Sequence, residues 1–374
     1  MGQLIRIGLK AVALFLIFNL IWLAAQPMTF LNRLTVYNGL VPGRERFPFA
    51  EYPAESYALT VNSLDQIFAA HIVSRPKAAD EFRVLHIGDS GVWGYLLEPD
   101  QSQAACITRQ NLTLPDGRRV VAYNLGYPTL TAVKDLLILR RGLQHQPDLV
   151  IWSITLASLY PADQLDFPLL HAARDEIAAL QAEYAFNLPQ WPLPAPEAFA
   201  RTFIGQRRQV ADWLRHQLYG PAWAATRIDH RIPKFVAPHP VNLDPNDGLL
   251  SVNVVNLREP GRFTAPDLAL DVVRVGMEWA KSAGVPLVLV NAPMYRNDSH
   301  PLRYNTYYPR WAYDSYREVM AAEAAREGWR YRDLWDAAPP DAFTDTDFHL
   351  TATANCTYAE RLIRESLAAT VRKD

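Results

Sequence analysis

The serine in the segment Ile87-Gly88-Asp89-Ser90 is the residue whose type and setting best suit covalent chemistry. It directly follows an apolar run, FRVLHIG, and lies in a turn flanked by glycines. In open α/β folds such a turn lies at the carboxyl edge of a parallel sheet, where ligands bind, and a following helix N-terminus favours negative charge. A serine hydroxyl is a weak nucleophile until a base takes its proton. The segment therefore predicts a nucleophile at Ser90, with Asp89 as a turn or helix-capping residue.

The candidate base is His349, which lies near the C-terminus in the segment Asp345-Thr346-Asp347-Phe348-His349. A catalytic imidazole needs a carboxylate that orients it and stabilises its protonated form. Asp345 and Asp347 are both close enough along the chain to supply one, and both remain candidates. The segment precedes the last predicted helix, so it can place His349 beside Ser90 if the last strand neighbours the first.

Short apolar runs alternate with helical patterns on both sides of these residues. The runs predict strands at 82–88, 118–126, 147–154, 285–293 and 329–335. Strands that alternate with helices indicate a mainly parallel sheet joined by crossover helices. The expected fold is therefore a three-layer α/β/α sandwich that carries Ser90 and His349 at one edge of its sheet.

The rhythm of strands and helices also predicts the domain organisation. It breaks after about residue 160 and resumes near residue 266, and the intervening stretch is rich in proline and tryptophan. We expect a cytoplasmic tip and membrane helix, a connecting region, a split α/β catalytic domain and an inserted cap or lid. Their respective ranges are 1–32, 33–78, 79–160 with 266–374, and 161–265.

Three blocks of the sequence together resemble the GDSL/SGNH hydrolase family. HIGDSGVWG, YNLGYPT and FTDTDFHLT occur in the order in which that family carries its nucleophile, an oxyanion-binding glycine and its acid–base pair. The resemblance implies an SGNH-hydrolase or flavodoxin-like fold. It implies that Ser90 is the nucleophile, that the backbone N–H of Gly126 binds the oxyanion, and that His349 is the base.

The sequence departs from the family pattern at two places. The family's third block contains an asparagine that donates to the oxyanion, whereas here the third strand continues into Thr155-Leu156-Ala157-Ser158. A hydroxyl of Thr155 or Ser158 is the candidate replacement, or the donor is missing. The family's aspartate lies three residues before the histidine, where this chain has Thr346. The lead-in FTD favours Asp345 over Asp347, and a local bulge would be required to deliver it.

Other polar and aromatic residues are expected at the same edge of the sheet. Asn291 ends the fourth predicted strand, where it is a candidate to contact substrate, although loop closure is the simpler interpretation. The segment 303–311, RYNTYYPRW, is aromatic and basic. It suits either contact with a glycan or a packed lid over the sheet.

Composition excludes several classes of function. The 374 residues include 37 basic and 39 acidic residues and have a formal charge of -2, so there is no electrostatic footprint for nucleic acid. No phosphate-binding glycine motif follows a strand, and the histidines lack metal-ligand spacing. We therefore expect no cofactor, no metal, no nucleotide and no nucleic-acid partner. Cys106 and Cys356 are the two cysteines and can pair in an oxidising compartment.

The N-terminal region predicts a membrane anchor. Residues 11–32 carry no charge, and this run of 22 residues is long enough to cross a bilayer. Arg6 and Lys10 precede it, which favours a cytoplasmic N-terminus and an extracytoplasmic catalytic domain. A cleaved signal peptide fits poorly because small residues are not well placed for cleavage. A buried core helix is the remaining alternative.

These observations define three hypotheses about function. The first is a serine esterase of SGNH type, anchored in the cell membrane as a single-pass protein, that cleaves O-acyl esters of cell-envelope or extracellular glycans. The second is an O-acyltransferase that passes the same acyl group from Ser90 to a polysaccharide. The third is a non-catalytic glycan-binding or assembly protein that kept the fold, which the missing third-block asparagine favours.

Overall fold

A computed structural model describes residues 2–40, 43–50, 59–228 and 261–371 of the chain. Five strands form one sheet, and each lies where the alternating sequence pattern predicts a strand. They are β1 (Glu81–Gly88), β2 (Arg119–Gly126), β3 (Leu149–Ile154), β4 (Leu287–Asn291) and β5 (Arg330–Asp333). The order is β2-β1-β3-β4-β5, and every neighbouring pair is parallel. The predicted parallel α/β architecture is confirmed.

The helices of the described chain connect these strands and flank the sheet. They are α1 (Gly2–Ala25), α2 (Met28–Leu31), α3 (Tyr37–Leu40), α4 (Leu64–Ala70), α5 (Ser90–Trp93), α6 (Gln103–Arg109), α7 (Ala132–Gly142), α8 (Pro168–Ala172), α9 (Arg174–Tyr184), α10 (Phe203–Thr226), α11 (Leu270–Ser282), α12 (Arg310–Glu327) and α13 (Ala352–Val371).

Alternate residues of each strand enter two separate cores, one on each face of the sheet. Leu85 of β1 and Trp152 of β3 belong to the core that α7, α11 and α12 cover. Val84 and Ile151, one position earlier on the same strands, belong to the core that α6 and α13 cover. Because successive side chains of a strand point to opposite faces, this division shows that both faces are buried. The molecule therefore has the predicted three layers.

His349 reaches Ser90 although the last strand does not neighbour the first, which was the condition named for that placement. Strands β3 and β4 lie between β5 and β1. The segment after β5 instead runs back along the carboxyl edge of the sheet, and α13 then packs against α6. A disulfide between Cys106 of α6 and Cys356 of α13, with Cα atoms 5.2 Å apart, joins the two helices.

The regions expected to be a connector and an inserted lid both contribute to the main core. Phe47 and Ile67 of the connecting region are fully buried there, as is Leu170 of α8 in the insertion. These apolar side chains cover the same face of the sheet as α7, so the described parts of both regions pack into the core of the α/β domain. Part of the expected insertion, 229–260, lies outside the described residues.

Candidate active site

The turn that carries Ser90 is held tightly at the end of β1. Ser90 is the first residue of α5, and the carboxylate of Asp89 accepts a hydrogen bond from the Gly91 N–H at 2.8 Å, which confirms the expected cap. A Cβ atom at Gly88 would lie 2.6 Å from a methyl group of Val92, so only glycine fits at this position. The serine is consequently presented at the carboxyl edge of the sheet, after a strand that has a neighbour on each side.

A buried lysine supports this turn from below. Lys134 is fully buried, and its ammonium donates to the backbone oxygens of Gly88 at 2.7 Å and Tyr127 at 3.0 Å. Asp135 lies 2.8 Å from the same ammonium and balances its charge. Removing Lys134 or Asp135 would leave the other as an uncompensated buried charge, so the two side chains form one unit. Through the backbone oxygens of Gly88 and Tyr127, this unit joins the ends of β1 and β2 close to Ser90.

His349 lies within hydrogen-bond distance of both the hydroxyl and a carboxylate. Its Nε2 atom is 2.8 Å from Ser90 Oγ, and its Nδ1 atom is 3.0 Å from Asp345 Oδ1. With the proton on Nδ1, the imidazole donates to Asp345 and leaves Nε2 free to accept the serine proton. The order hydroxyl, imidazole, carboxylate is the arrangement that activates serine for attack on an acyl carbon.

A short loop brings Asp345 and His349 together although they are four residues apart. Phe343 and Leu350 form an antiparallel bridge, and the N–H of Thr344 donates to the backbone oxygen of His349 at 2.9 Å. Because Asp345 lies four residues before His349 and not three, a local bulge is required, and this closed loop provides it. Burial raises the pKa of Asp345, but the hydrogen bond and charge of His349 and the Thr344 hydroxyl lower it to a net value below the ordinary one. Asp345 is therefore held as a carboxylate.

Asp347, the other candidate acid, faces away from the imidazole. It is fully buried, and its Oδ2 atom accepts a hydrogen bond from the hydroxyl of Thr306. Its backbone oxygen accepts from the N–H of Tyr295, which fixes the loop to the segment after β4. Burial raises the pKa of Asp347 to about 7. Of the two aspartates that the sequence left open, the structure places only Asp345 against His349.

Gly126 does not offer the oxyanion-binding N–H that the family resemblance implies. Its N–H already donates to Asn124 Oδ1 at 3.0 Å. A Cβ atom at this position would lie 2.4 Å from the backbone nitrogen of Trp93, so the glycine lets α5 approach the end of β2. We therefore correct the expected role to a packing role. The N–H of Ser90 at the first helical position has no partner within the helix and is the donor that the fold provides beside Oγ.

The remaining predicted residues divide between the cleft and the interior. Thr155 lines the cleft, and its hydroxyl lies 3.2 Å from the Tyr308 hydroxyl. Ser158 is instead buried, and its Oγ accepts the N–H of Thr155 at 3.2 Å, so this hydroxyl caps a turn and the predicted oxyanion role is corrected.

Asn291 is also an interior residue and does not contact the cleft. Its Oδ1 accepts hydrogen bonds from the hydroxyls of Tyr313 and Tyr316 at 3.0 and 3.2 Å, and its amide nitrogen donates to Asp333. The side chain is fully buried by these contacts. Its predicted place among the substrate-binding residues is therefore wrong, and the simpler structural interpretation holds.

A narrow cleft adjoins the serine turn. Its walls combine polar and apolar side chains. They comprise Asp89, Gly91, Val92, Gln103, Ser153, Thr155, Ala292, Pro293, Phe348 and Leu350. The aromatic and basic segment 303–311 packs beside this region, with Asn305 and Tyr308 fully buried. This segment supports the site as packed structure, in agreement with the second of its two interpretations.

Sequence reasoning missed one contact of the catalytic pair and one contact that holds the helix after His349 in place. The ring of Tyr95 stacks on the imidazole of His349, with centroids 4.8 Å apart. Asn355 of α13 accepts from the Gln103 amide at 2.9 Å and donates to the backbone oxygen of Gln101 at 2.8 Å, which holds α13 to α6. Neither contact has a sequence signal, because each joins residues that only the folded chain brings together. Among the described residues, no group of three His, Cys, Asp or Glu side chains is arranged to hold a metal ion.

Comparison with known proteins finds no matching protein-family model and no matching curated protein. Among solved structures, the chain is similar to an acetylxylan esterase, Axe2, from Geobacillus stearothermophilus. The identity is 13% over 76% of this chain and 93% of that chain, with a TM-score of 0.36. It is also similar to a GDSL-like lipase from Bacteroides thetaiotaomicron, with 10% identity over 79% of this chain and 93% of that chain and a TM-score of 0.34.

A third similar structure is TesA, with 12% identity over 77% of this chain and 98% of that chain and a TM-score of 0.34. Because the identities and TM-scores are low, the chemistry assigned to this chain depends on the distances within its own site.

Proposed function

We propose that the chain is a serine esterase of SGNH type that cleaves O-acyl esters. The observation that carries the proposal is the continuous line from Ser90 Oγ to His349 Nε2 at 2.8 Å and from His349 Nδ1 to Asp345 at 3.0 Å. His349 bonds to a hydroxyl on one side and to a carboxylate on the other, at the carboxyl edge of a parallel sheet. Serine catalysis requires this arrangement, and a histidine with a purely structural role does not.

The proposed reaction has two steps. Ser90 Oγ attacks the ester carbonyl carbon while His349 takes the hydroxyl proton, and the carbonyl oxygen becomes an oxyanion that the Ser90 N–H stabilises. The carbon–oxygen bond to the alcohol then breaks, and His349 returns the proton to the leaving alcohol. Water repeats the sequence on the acyl-serine and releases the carboxylic acid and the free serine. Asp345 keeps the imidazole in the required tautomer and stabilises its cationic form.

The narrow cleft favours a short acyl group. Val92, Phe348 and Leu350 close it with apolar side chains near the serine turn. Acetyl esters are therefore the substrate class proposed for this site, and acetylated glycans of the cell envelope or extracellular matrix are the proposed source. The hydroxyl of Thr155 is the proposed second contact for the substrate.

Membrane anchoring is the second part of the proposal. Of the described helices, α1 alone is long and apolar enough to cross a membrane, and most of its apolar side chains are exposed. This exposure argues against the alternative of a buried core helix. The disulfide between Cys106 and Cys356 suits a catalytic domain outside the cytoplasm. Resistance of the full-length protein to extraction by alkaline carbonate tests the anchor, and release into the soluble fraction would contradict it.

The esterase proposal is tested by hydrolysis of p-nitrophenyl acetate by the full-length protein in detergent. Wild type is expected to release p-nitrophenol, acetate is expected to be preferred over octanoate, and Ser90→Ala is expected to be inactive. Ser282→Ala is the matched control because Ser282 is an exposed serine at the end of α11, far from the site in sequence. Equal rates for wild type and Ser90→Ala would reject the proposal.

Acyl transfer is the second candidate function, because a sugar hydroxyl can attack the same acyl-serine in place of water. Adding an oligosaccharide acceptor to the same assay separates the two reactions. A transferase would yield acetylated oligosaccharide in place of free acetate, whereas an esterase would yield acetate at an unchanged rate.

A further inference from the structure

Helix α10 packs against the C-terminal half of α1, the helix proposed to span the membrane. The ring of Phe203 lies 5.1 Å from that of Phe18 and 5.0 Å from that of Trp22, measured between centroids. The indole N–H of Trp22 donates to Gln206 Oε1 at 2.7 Å. The start of α10 is thereby fixed to the outer part of α1, one to two turns before that helix ends.

The contact continues along the segment that follows α1. Asn19, the polar residue within the apolar run, accepts the N–H of Ile204 at 3.1 Å. The indole of Trp213 donates to the backbone oxygen of Leu31 at 2.8 Å, and Gln217 accepts the N–H of Val36 at 3.0 Å. Since α10 follows residues 19–36 in this way, it lies beside the point where the chain would leave the bilayer.

Exposed apolar side chains are concentrated on these two segments, 26–40 and 198–228, which we call the juxtamembrane face. Outside α1, the described chain exposes eight large apolar residues, and seven of them belong to this face. They are Phe30, Leu34, Leu40, Phe199, Leu214, Leu218 and Tyr219, whereas Leu302 is the eighth. Such a concentration marks an interaction surface, because single exposed apolar residues are ordinarily scattered.

The juxtamembrane face is also strongly basic. It contains six arginines, Arg33, Arg201, Arg207, Arg208, Arg215 and Arg227, against one acidic residue, Asp212. The formal charge of the two segments is therefore +5, although the whole chain carries -2. Three of these arginines are ion-paired in the structure, Arg33 with Asp65, Arg215 with Asp212 and Arg227 with Glu45, and Arg201, Arg207 and Arg208 are exposed. Exposed aromatic and leucine side chains mixed with arginines are the composition of segments that lie in a lipid headgroup layer.

We propose that the juxtamembrane face lies on the headgroup layer of the bilayer, with its apolar side chains inserted and with Arg201, Arg207 and Arg208 near lipid phosphates. This inference rests on the proposed anchoring by α1. A second copy of the chain is the less suitable occupant, because two faces with the same net positive charge would repel each other. The docked face fixes the orientation of the catalytic domain on the membrane, which a flexible tether could not do.

The test uses the full-length protein in vesicles of phosphatidylcholine and phosphatidylglycerol, with the native disulfide intact. An environment-sensitive fluorophore is attached at Leu218→Cys and, in a second protein, at Tyr219→Cys. Quenching by lipids that carry a doxyl group is then measured. Leu16→Cys in α1 reports insertion of the anchor. Leu302→Cys is the matched control because both leucines are similarly exposed, 70% for Leu218 and 67% for Leu302.

Strong quenching at positions 16, 218 and 219 with little at 302 is the expected result. Quenching at 16 without quenching at 218 or 219 would overturn the docked face and leave the anchor intact. Absence of quenching at 16 would overturn the anchor and the docked face together. A signal at 218 that depends on protein dilution and not on doxyl lipid would show that a second copy occupies the face. None of these outcomes bears on ester hydrolysis, which is assayed separately.

Discussion

The described residues include two serine–histidine pairs with the same distance between hydroxyl and imidazole, and the surroundings of the two pairs differ. Ser90 Oγ lies 2.8 Å from His349 Nε2 at the edge of the sheet. Ser153 Oγ lies 2.8 Å from His86 Nε2 within the sheet, on the adjacent strands β3 and β1. The first pair joins residues 259 positions apart along the chain, whereas the second joins residues 67 apart.

The second imidazole lacks what a general base requires. His86 is fully buried, its Nδ1 atom has no hydrogen-bond partner within the described residues, and burial lowers its pKa to about 3. His349 has Asp345 at Nδ1 and lies where a substrate can reach Ser90. Proximity of a hydroxyl and an imidazole is therefore not sufficient for catalysis, since the imidazole also needs a carboxylate partner and the hydroxyl must be accessible to substrate.

The largest expected effect is a contrast between the two histidines, because replacing His349 should lower activity whereas replacing His86 should lower stability. His349→Ala should lower kcat/KM for p-nitrophenyl acetate by roughly 10⁴-fold with little change in thermal stability, because the base is lost at the edge of the fold. His86→Asn should lower the unfolding temperature and leave kcat of the folded enzyme within a small factor. Steady-state kinetics and thermal melts of both variants provide the measurement. A catalytic loss at His86 as large as that at His349 would remove the distinction.

The two aspartates of this loop should also differ in their effect on kcat. Asp345→Asn should lower kcat by roughly 10²–10⁴-fold, because the amide can no longer stabilise the cationic imidazole. Asp347→Asn should change kcat little, since Asp347 contacts Thr306 and not His349. The two variants are matched in chemistry and differ by two positions in sequence. Equal losses of kcat would show that Asp347 also acts on the base.

Sequence predicted the features of the site that depend on local pattern. Five short apolar runs that alternate with helical patterns identify the strands, and the turn after β1 identifies Ser90. The aspartates could not be separated by spacing, because the bridge between Phe343 and Leu350 folds Asp345 onto His349. Such a bridge depends on contacts that the loop makes after the sheet has formed.

Other expectations failed because backbone partners are not visible in sequence. The N–H of Gly126 is used by Asn124, and Asn291 points into a layer of tyrosines contributed by α12. The order of the strands was likewise not predicted from the sequence. Nothing in the sequence indicates that β3 and β4 separate β5 from β1. Nor does it indicate that α13 packs against α6, which brings the segment before α13 back to the end of β1.

The disulfide should affect the geometry of the Ser90–His349 pair more than that of the Ser153–His86 pair. Cys106–Cys356 fixes α13, and therefore the loop before it, to α6, whereas His86 and Ser153 are held by sheet pairing alone. The double variant Cys106→Ser/Cys356→Ser should lose roughly ten- to a hundredfold in kcat, because small displacements of a base are costly. Closing so long a loop should also contribute about 3–5 kcal/mol to the free energy of unfolding. Unchanged kcat in the variant would show that α13 is held sufficiently by its other contacts.

The smallest effect concerns acid stability. The pKa of His86 is about 3 in the folded chain and 6.5 in the unfolded chain, so unfolding takes up a proton between these values. The stability that His86 contributes is therefore present above pH 6.5 and is lost as the pH falls toward 3. His86→Asn should flatten the decline of the unfolding temperature over this window. The decline should persist in part, because His71 and His216 are also buried with pKa values of about 3.

Labelling of the intact protein by a fluorophosphonate probe tests the central claim most directly. We expect one adduct at Ser90, mapped by mass spectrometry. It should be absent in Ser90→Ala and should form much more slowly in His349→Ala. An adduct at Ser153, or no adduct on folded wild-type protein, would contradict the assignment of Ser90 and His349 as the reactive pair.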